Sequence, residues 1–364
     1  MKKAQKRRAP VAVRVILSIL LVLVLAVVLL FGFLAITEFK PDAEMAAAVS
    51  APLTGDAAKE VRSGDTLSIV TWNIGYGALG DNADFFMDGG KGVKTADKAR
   101  VTRNMNGIMG RLAELKPDFI FLQETDQNST RSSHIDETEL MRETFGGYES
   151  SFANNFKVAF LPYPVPPIGK VDSGIMTLSK YGISDSKRIS LPCPFAWPVS
   201  MANLKRCLLV TRIPTEGGRE LVLVNLHLEA YDSGEGKIAQ TKQLADFLAE
   251  EANKGNYVIA GGDFNQIFSD ADGTKYPAQE GKWAAGEIDV TAFDDSLNCL
   301  MDETVPTCRS LDQPYSGADK GTFQYYLIDG FIVSDNVSVK DFHTLDEDFV
   351  CTDHNPVRME FVLE

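Results

Sequence analysis

Eight short apolar runs, each closed or broken by a polar residue, constrain this chain more than any other feature. They are LSIVTWN (67–73), DFIFLQE (118–124), SGIMTLS (173–179), CLLVTRI (207–213), LVLVNLHL (221–228), YVIAGGDFN (257–265), LIDGFIVS (327–334) and VRMEFVL (357–363). Their shortness and their β-branched and aromatic content predict strands. Two longer stretches have helical spacing instead. In Lys98–Leu115 the residues Val101, Met105, Ile108, Leu112 and Leu115 fall on one face, and Pro117 ends the pattern. In Ile238–Asn253 that face is Leu244, Phe247 and Leu248, with Gly255 just beyond. Many strands with few helices between them predict an α/β fold of two stacked sheets with helices outside. No longer repeat is visible, which excludes a solenoid or propeller. Residues 266–320 are the least regular part and read as an insertion or lid.

The polar interruptions share one chemistry. Asn73 and Glu124 end apolar strands, His227 sits inside one, and Asp263 and Asn265 follow Tyr257–Ala260. Asp329 lies between Ile328 and Gly330, and Asp353 and His354 directly precede the last strand. A carboxylate or imidazole so close to apolar strand residues is costly unless it is paired or bound to a cation. So many in one domain predict a shared polar cluster. Oxygen donors with few imidazoles suit a hard ion, Mg²⁺ or Mn²⁺, and not a closed zinc site. Phosphate-ester hydrolysis needs charge neutralisation, an activated water and leaving-group stabilisation. A metal held by Glu124 and Asn73 meets the first and last needs. An Asp329–His354 pair can orient or deprotonate water, and Asn265 and His227 can donate to a phosphoryl oxygen.

Taken singly, most of these residues have plainer readings. Asn73 alone is a turn residue, Glu124 a strand-end acid, His227 a core histidine, and GGDFN an Asp turn. Their order along the chain is what gives them weight. Lys157, Asn155 and Arg188 read as ordinary surface residues, with lining of a substrate pocket as the alternative, and His134 and His343 read as solvated ones.

The N-terminal segment is separate in character. Val15 to Ile36 is a run of 22 residues whose only non-aliphatic members are Ser18, Phe31, Gly32 and Phe33. It is long enough to span a hydrocarbon core of about 30 Å, and long for a secretory signal. All six basic residues of positions 1–37 precede it or begin it (Lys2, Lys3, Lys6, Arg7, Arg8, Arg14), with no acid among them. We therefore expect a basic cytoplasmic N-terminus (1–14), a single-pass anchor (15–37) in the cell membrane, and the rest of the chain outside. A cleaved signal peptide is the alternative. Residues 38–65 read as a flexible tether and 66–364 as the catalytic domain.

The remaining chain holds 30 basic and 50 acidic residues. That balance disfavours binding by broad contact with a polyanion backbone. Cys193, Cys207, Cys299, Cys308 and Cys351 show no zinc-ligand spacing. Cys193 with Cys207, and Cys299 with Cys308, are near enough in sequence to pair in an oxidising compartment. Five free thiols are the equal alternative.

TWNIG (71–75), LQE (122–124), NLHL (225–228), GGDFN (261–265), LID (327–329) and TDHNPV (352–357) together resemble the ordered signature of the endonuclease/exonuclease/phosphatase superfamily. The resemblance covers about Leu67 to Leu363. It implies a four-layer α/β/β/α sandwich of two mainly antiparallel sheets. It also implies metal binding by Glu124 with Asn73 and Asp353, and nucleophile activation by Asp263. Phosphate contacts from Asn265 and His227, and a general base His354 held by Asp329, complete the expected set. Leu327 stands where this family often has a basic residue. His227 points toward the deoxyribonuclease, sphingomyelinase and phosphatase branches and away from abasic-site nucleases.

These readings predict a membrane-anchored, Mg²⁺-dependent phosphoesterase acting outside the cytoplasm on a lipid head group, a small phosphodiester or a nucleic acid. A surface nuclease of the same chemistry and a catalytically silent binding module on the same fold are the alternatives. A calcineurin-like dinuclear site needs more clustered histidines than the four present.

Overall fold

The computed structural model describes residues 10–57 and 60–364. The basic residues Lys2 to Arg8 of the expected cytoplasmic segment lie outside them. Two seven-stranded sheets stack face to face. The first has the order β1 (Glu44–Ala46), β7 (Asp185–Ser190), β8 (Cys207–Pro214), β9 (Glu220–His227), β10 (Tyr257–Asp263), β16 (Asp329–Ser334), β13 (Leu297–Leu300). The second runs β17 (Val337–Thr344), β18 (Val357–Leu363), β3 (Leu67–Asn73), β4 (Phe119–Asp126), β6 (Gly169–Ser179), β5 (Glu149–Leu161), β2 (Val49–Ser50). Two short ribbons complete the strands: β11 (Gln266–Phe268) with β12 (Gly286–Ile288), and β14 (Cys308–Arg309) with β15 (Tyr325–Tyr326).

Each sheet is antiparallel except for one central pair. β3 and β4 are parallel, joined by α2 (Lys98–Leu115), and β9 and β10 are parallel, joined by α4 (Glu235–Asn253). A parallel pair needs a crossover, and the helix supplies it. α2 matches the predicted span, with the Asp97 side chain accepting from Arg100 N at its start. A third helix, α3 (Glu137–Thr144), packs beside α2. The expected four-layer sandwich is the fold observed.

Strand alternation sorts the core into three layers. Leu67, Ile69, Phe119, Phe121, Leu221, Leu223, Ile259, Phe331 and Phe361 fill the space between the sheets. The opposite faces carry Val70, Trp72, Ile120 and Leu122 toward α2, and Val222, Val224, Val258 and Ala260 toward α4. Fully burying side chains of this size contributes roughly 1.5–3 kcal/mol each.

Two features differ from the sequence reading. Residues 38–65 are not a free tether: β1 pairs with β7 and β2 with β5, so this stretch adds an edge strand to each sheet. Short polar strands carry little apolar signal, and open sheet edges recruit them through backbone hydrogen bonds alone. Within 266–320, β13 completes the edge of the first sheet by pairing with β16. Of the two equal readings for the cysteines the structure has the free thiols, at all five positions.

Upstream stands α1 (Val11–Thr37), in which only Leu34 is buried. It is long and apolar enough to cross a membrane. Its C-terminal end packs on β5 and on the short 3-10 helix Val199–Ala202.

Candidate active site

The predicted residues converge because of strand parity. On β9, the inward-facing series Leu221, Leu223, Asn225 continues to His227, and on β10 Tyr257, Ile259, Gly261 continues to Asp263. Asp263 stands opposite His227 on one side and opposite Asp329 on the other, so three polar side chains form one row across the sheet. On the facing sheet Asn73 extends the inward series of β3 and lies opposite Gln123. The C-terminal ends of both parallel pairs open on the same edge of the sandwich, where open α/β sheets bind ligands.

Glu124 breaks the parity rule. Its φ of +54° and the irregular pairing of β4 with β6 between Leu122 and Thr125 turn its carboxylate to the cleft. Gly75 is a glycine for a local reason. It has φ +51°, and a Cβ there would lie 2.9 Å from Thr352 Oγ1 and 3.0 Å from Asp353 Oδ1.

The contacts are close. His354 Nδ1 is 2.8 Å from Asp329 Oδ2, and its Nε2 is 3.8 Å from Asp263 Oδ2. His227 Nε2 lies 3.4 Å from the same Asp263 oxygen. Asn73 Nδ2 donates to Asp263 Oδ2 at 3.0 Å and to Glu124 Oε1 at 3.4 Å, while Asn73 Oδ1 accepts from Gly75 N at 3.0 Å. Asn265 has φ +53°; its N donates to Asp263 Oδ1 at 2.8 Å and its Nδ2 to Leu228 O at 3.0 Å. Asp353 Oδ1 accepts from Thr352 Oγ1 at 3.2 Å.

A cleft of about 650 Å³ opens over this row. Glu124, His227, Asp263, Asn265, Asp353 and His354 line it, whereas Asn73 and Asp329 stand behind them. All eight predicted residues are thus brought to one place, six at the surface of the cleft and two supporting it.

Burial governs the electrostatics. It raises the carboxyls of Glu124, Asp263 and Asp353 above their usual range; Arg131 opposes the rise at Glu124, Asp329 adds to that at Asp263, and His354 opposes that at Asp353. Burial, reinforced by Arg206, lowers His227 well below the ordinary imidazole value and keeps it neutral. At His354 burial opposes the charged form, but Cys308 and Asp329 outweigh it and lift its pKa well above that value.

The donor set fits a divalent ion. The donor atoms of Asp263, Asp329 and His354 lie within 4.8 Å of one another, as do those of Cys308, Asp353 and His354. Among the described residues the Oδ1 of Asp329 has no hydrogen-bond partner. Buried carboxylates forced toward protonation are what a cation would stabilise. Asn73 takes part through both ends of its amide. Its oxygen accepts from Gly75 N and its amide nitrogen faces the carboxylates of Asp263 and Glu124.

Sequence reading missed several cleft residues. Arg131 is paired with Asp126 at 3.0 Å and stacks 3.7 Å over the Tyr76 ring. Arg206 is 3 % exposed, lies 3.8 Å from Glu229 Oε2, and has no hydrogen-bond acceptor at Nε or Nη1 among the described residues. Asn155 and Arg188 are buried rather than surface residues, and Asn155 lines the cleft. Cys308, Arg309 and Trp283 reach it from the 266–320 stretch. Asn155 was open to a pocket reading from the sequence, and Arg206 directly precedes β8, where the β8–β9 register, with Leu208 opposite Leu226, brings it to the end of β9 that carries His227.

Comparison with known proteins agrees with this geometry. The model of the Endonuclease/Exonuclease/phosphatase family matches residues 70–347. No curated protein sequence matches the chain significantly. Among solved structures, an endonuclease/exonuclease/phosphatase from Beutenbergia cavernae DSM 12333 is similar, with 17% identity, 82% of this chain and 72% of that chain covered, and a TM-score of 0.56. ANGEL2, a 2',3'-cyclic phosphatase, shows 12% identity over 87% of this chain and 98% of its own, with a TM-score of 0.53. D. rerio TDP2 complexed with single strand DNA product shows 17% identity, 82% and 99% coverage, and a TM-score of 0.51. At such identities the structures share the fold, and the match of the family model over most of the domain carries the assignment. The chain belongs to the endonuclease/exonuclease/phosphatase family and is a metal-dependent phosphoric ester hydrolase of that class.

Proposed function

We propose that the protein is a membrane-anchored phosphoesterase, active outside the cytoplasm, that hydrolyses phosphodiester or phosphomonoester bonds by in-line attack of water. The observation that carries this reading is the row His227–Asp263–Asp329, closed by His354 on Asp329 at 2.8 Å and faced by Glu124 and Asp353.

Glu124 and Asp353 are the residues that would hold the ion, which we take as Mg²⁺, with Mn²⁺ as a substitute. When bound, the ion supplies charge neutralisation at the phosphoryl oxygens and at the leaving oxygen. Asn73 positions Glu124 and Asp263 through its amide. Asp329 accepts the Nδ1 proton of His354 and makes the ring more basic, so that Nε2, once it has released its own proton, is the base at the cleft that takes one from water. Asp263 orients that water. His227, kept neutral by burial, and Asn265 contact a phosphoryl oxygen, and Arg206 and Arg131 add positive charge beside them.

Anchoring rests on α1 and on the basic residues before it. A nuclease reading has one observation in its favour, the likeness to a protein solved with single strand DNA. The acid excess of the domain weighs against it.

The test is a substrate panel on the full chain in detergent, with Mg²⁺, Mn²⁺ or EDTA. We expect hydrolysis of bis-p-nitrophenyl phosphate that EDTA abolishes and Mg²⁺ restores. Much faster cutting of plasmid DNA would replace this reading by the nuclease. No turnover of any ester in wild type or His354→Ala would leave the binding module.

A further inference from the structure

The cleft mouth and the end of the apolar helix share one loop. Glu38, the residue that ends α1, accepts from Lys205 Nζ at 3.3 Å, and the same nitrogen donates to Ser200 O at 2.7 Å. The 3-10 helix Val199–Ala202 packs against both α1 and β5. Its last residue, Ala202, and the following Asn203 and Leu204 form part of the cleft wall. The exit point of the helix is therefore a few residues from the mouth of the site, and β1 and β2 hold it there through both sheet edges.

Around that mouth the surface is apolar in a way the fold does not need. Trp197 is 69 % exposed and Val199 55 %, both in the loop that meets α1. In the loop between β5 and β6, Tyr163 is 70 % exposed and Val165 91 %. Burying any of them would stabilise the domain, so their presence at the surface calls for another apolar phase. Tryptophan and tyrosine suit the boundary between headgroups and acyl chains, where one end of the ring is dry and the other wet.

The cleft is divided in the same sense. Its floor is the carboxylate and histidine row, while Phe85, Phe86, Met87, Leu161 and Ile168 stand along its walls, with Tyr163 edge-on to Phe86 at 6.2 Å. A phosphate at the floor would thus have its ester substituent against apolar side chains.

We infer that the loops carrying Trp197, Val199, Tyr163 and Val165 dip into the bilayer leaflet beside α1, and that the site takes its phosphoester from the headgroup of a membrane lipid. This rests on the phosphoesterase reading above and names its substrate class. In the reaction water adds to phosphorus as one ester P–O bond breaks. His354 takes the proton from water, and the departing oxygen takes up a proton and leaves as a hydroxyl. The anchor makes the docking intramolecular, so weak insertion of each loop suffices.

Two measurements on the full chain in phosphatidylcholine nanodiscs test it. Brominated acyl chains should quench roughly a third or more of the tryptophan emission, and Trp197→Phe should remove most of that quenching, since Trp72 is buried in the core and Trp283 is part-buried. Quenching that is absent, or that Trp197→Phe leaves unchanged, overturns the docking. The second compares sphingomyelin, phosphatidylcholine and phosphatidylglycerol in nanodiscs with soluble bis-p-nitrophenyl phosphate. The double variant Val165→Asp, Val199→Asp should lower lipid turnover about tenfold or more while soluble-ester turnover stays within about twofold. Turnover of the soluble ester but of none of the lipids refutes the inference and leaves the phosphoesterase reading intact. Turnover of neither by the wild type refutes both.

Discussion

At Glu124 a non-glycine residue holds φ +54°, and at Asn265 another holds +53°. Left-handed backbone at such residues costs of order 1 kcal/mol each and persists where surrounding structure imposes it. At Glu124 the turn aims the carboxylate into the cleft from a strand that would otherwise point it away, and at Asn265, just past the end of β10, it lets the backbone N reach Asp263 while the side chain lines the cleft. His354 is held more conventionally, by Asp329 on one side and by its own backbone oxygen, which accepts from Trp72 Nε1 at 2.9 Å. His354→Ala should lower kcat by about 10²–10⁴-fold with little change in thermal stability. Asp329→Asn, which leaves the ring but not its anionic partner, should cost roughly tenfold to a thousandfold, read in the same steady-state assay. These eight positions were legible because a charged or amide side chain at the end of an apolar strand has no cheap structural explanation. Arg131 was not legible. It lies in a polar loop after β4, and only the fold carries it over Tyr76.

The two β–α–β units are the elements that build the site, one per sheet. Their strands were readable from alternation and composition, and α2 from its apolar stripe. β5, β7 and β17 were not, because they run near sheet edges with half their residues in solvent and lack a sustained apolar face. Within the second unit Gly262 has φ +147°, and a Cβ there would lie 2.0 Å from Leu226 O on the neighbouring parallel strand. Gly262→Ala should force β9 and β10 apart at the point where His227 faces Asp263. We expect a loss of about 3 kcal/mol in urea unfolding, with activity lost as well. α4 is tied to the same sheet by a bidentate pair: Arg212 donates to the two Glu251 oxygens at 3.0 and 2.7 Å. Burial tends to raise the Glu251 carboxyl, but hydrogen bonds from Arg212, Lys254 and Asn256 outweigh it and hold it at about 2. An unfolded glutamate titrates near about 4.3. The pair therefore contributes its full stability above about pH 4.5 and loses it as pH falls toward about 2. Melting temperature measured across that window should fall more steeply in the wild type than in Glu251→Gln.

For the whole molecule, the sequence separates an apolar helix from an acidic enzyme, and the structure joins them more tightly than a tether would. β1 and β2 sit on opposite sheets, so the chain leaving α1 stitches the sandwich edges together before the first central strand begins. Such strands cannot be recognised from two or three residues, since their pairing depends on partners a hundred or more positions away. A soluble chain starting at residue 60 should consequently melt about 5 °C or more below one starting at residue 38, by calorimetry. The four-layer architecture, by contrast, followed from many short strands, two amphipathic helices and the family resemblance together. The central claim is that Glu124, Asp353 and the Asp263–His354 row form one metal-dependent hydrolytic site. Steady-state hydrolysis of bis-p-nitrophenyl phosphate against Mg²⁺ concentration tests it most directly, for the wild type and Glu124→Gln. We expect saturable activation in the wild type and, in the variant, a loss of about a hundredfold or more in rate at saturating ester, with a rise in the Mg²⁺ required. Equal rates and equal Mg²⁺ dependence in the two proteins would contradict it.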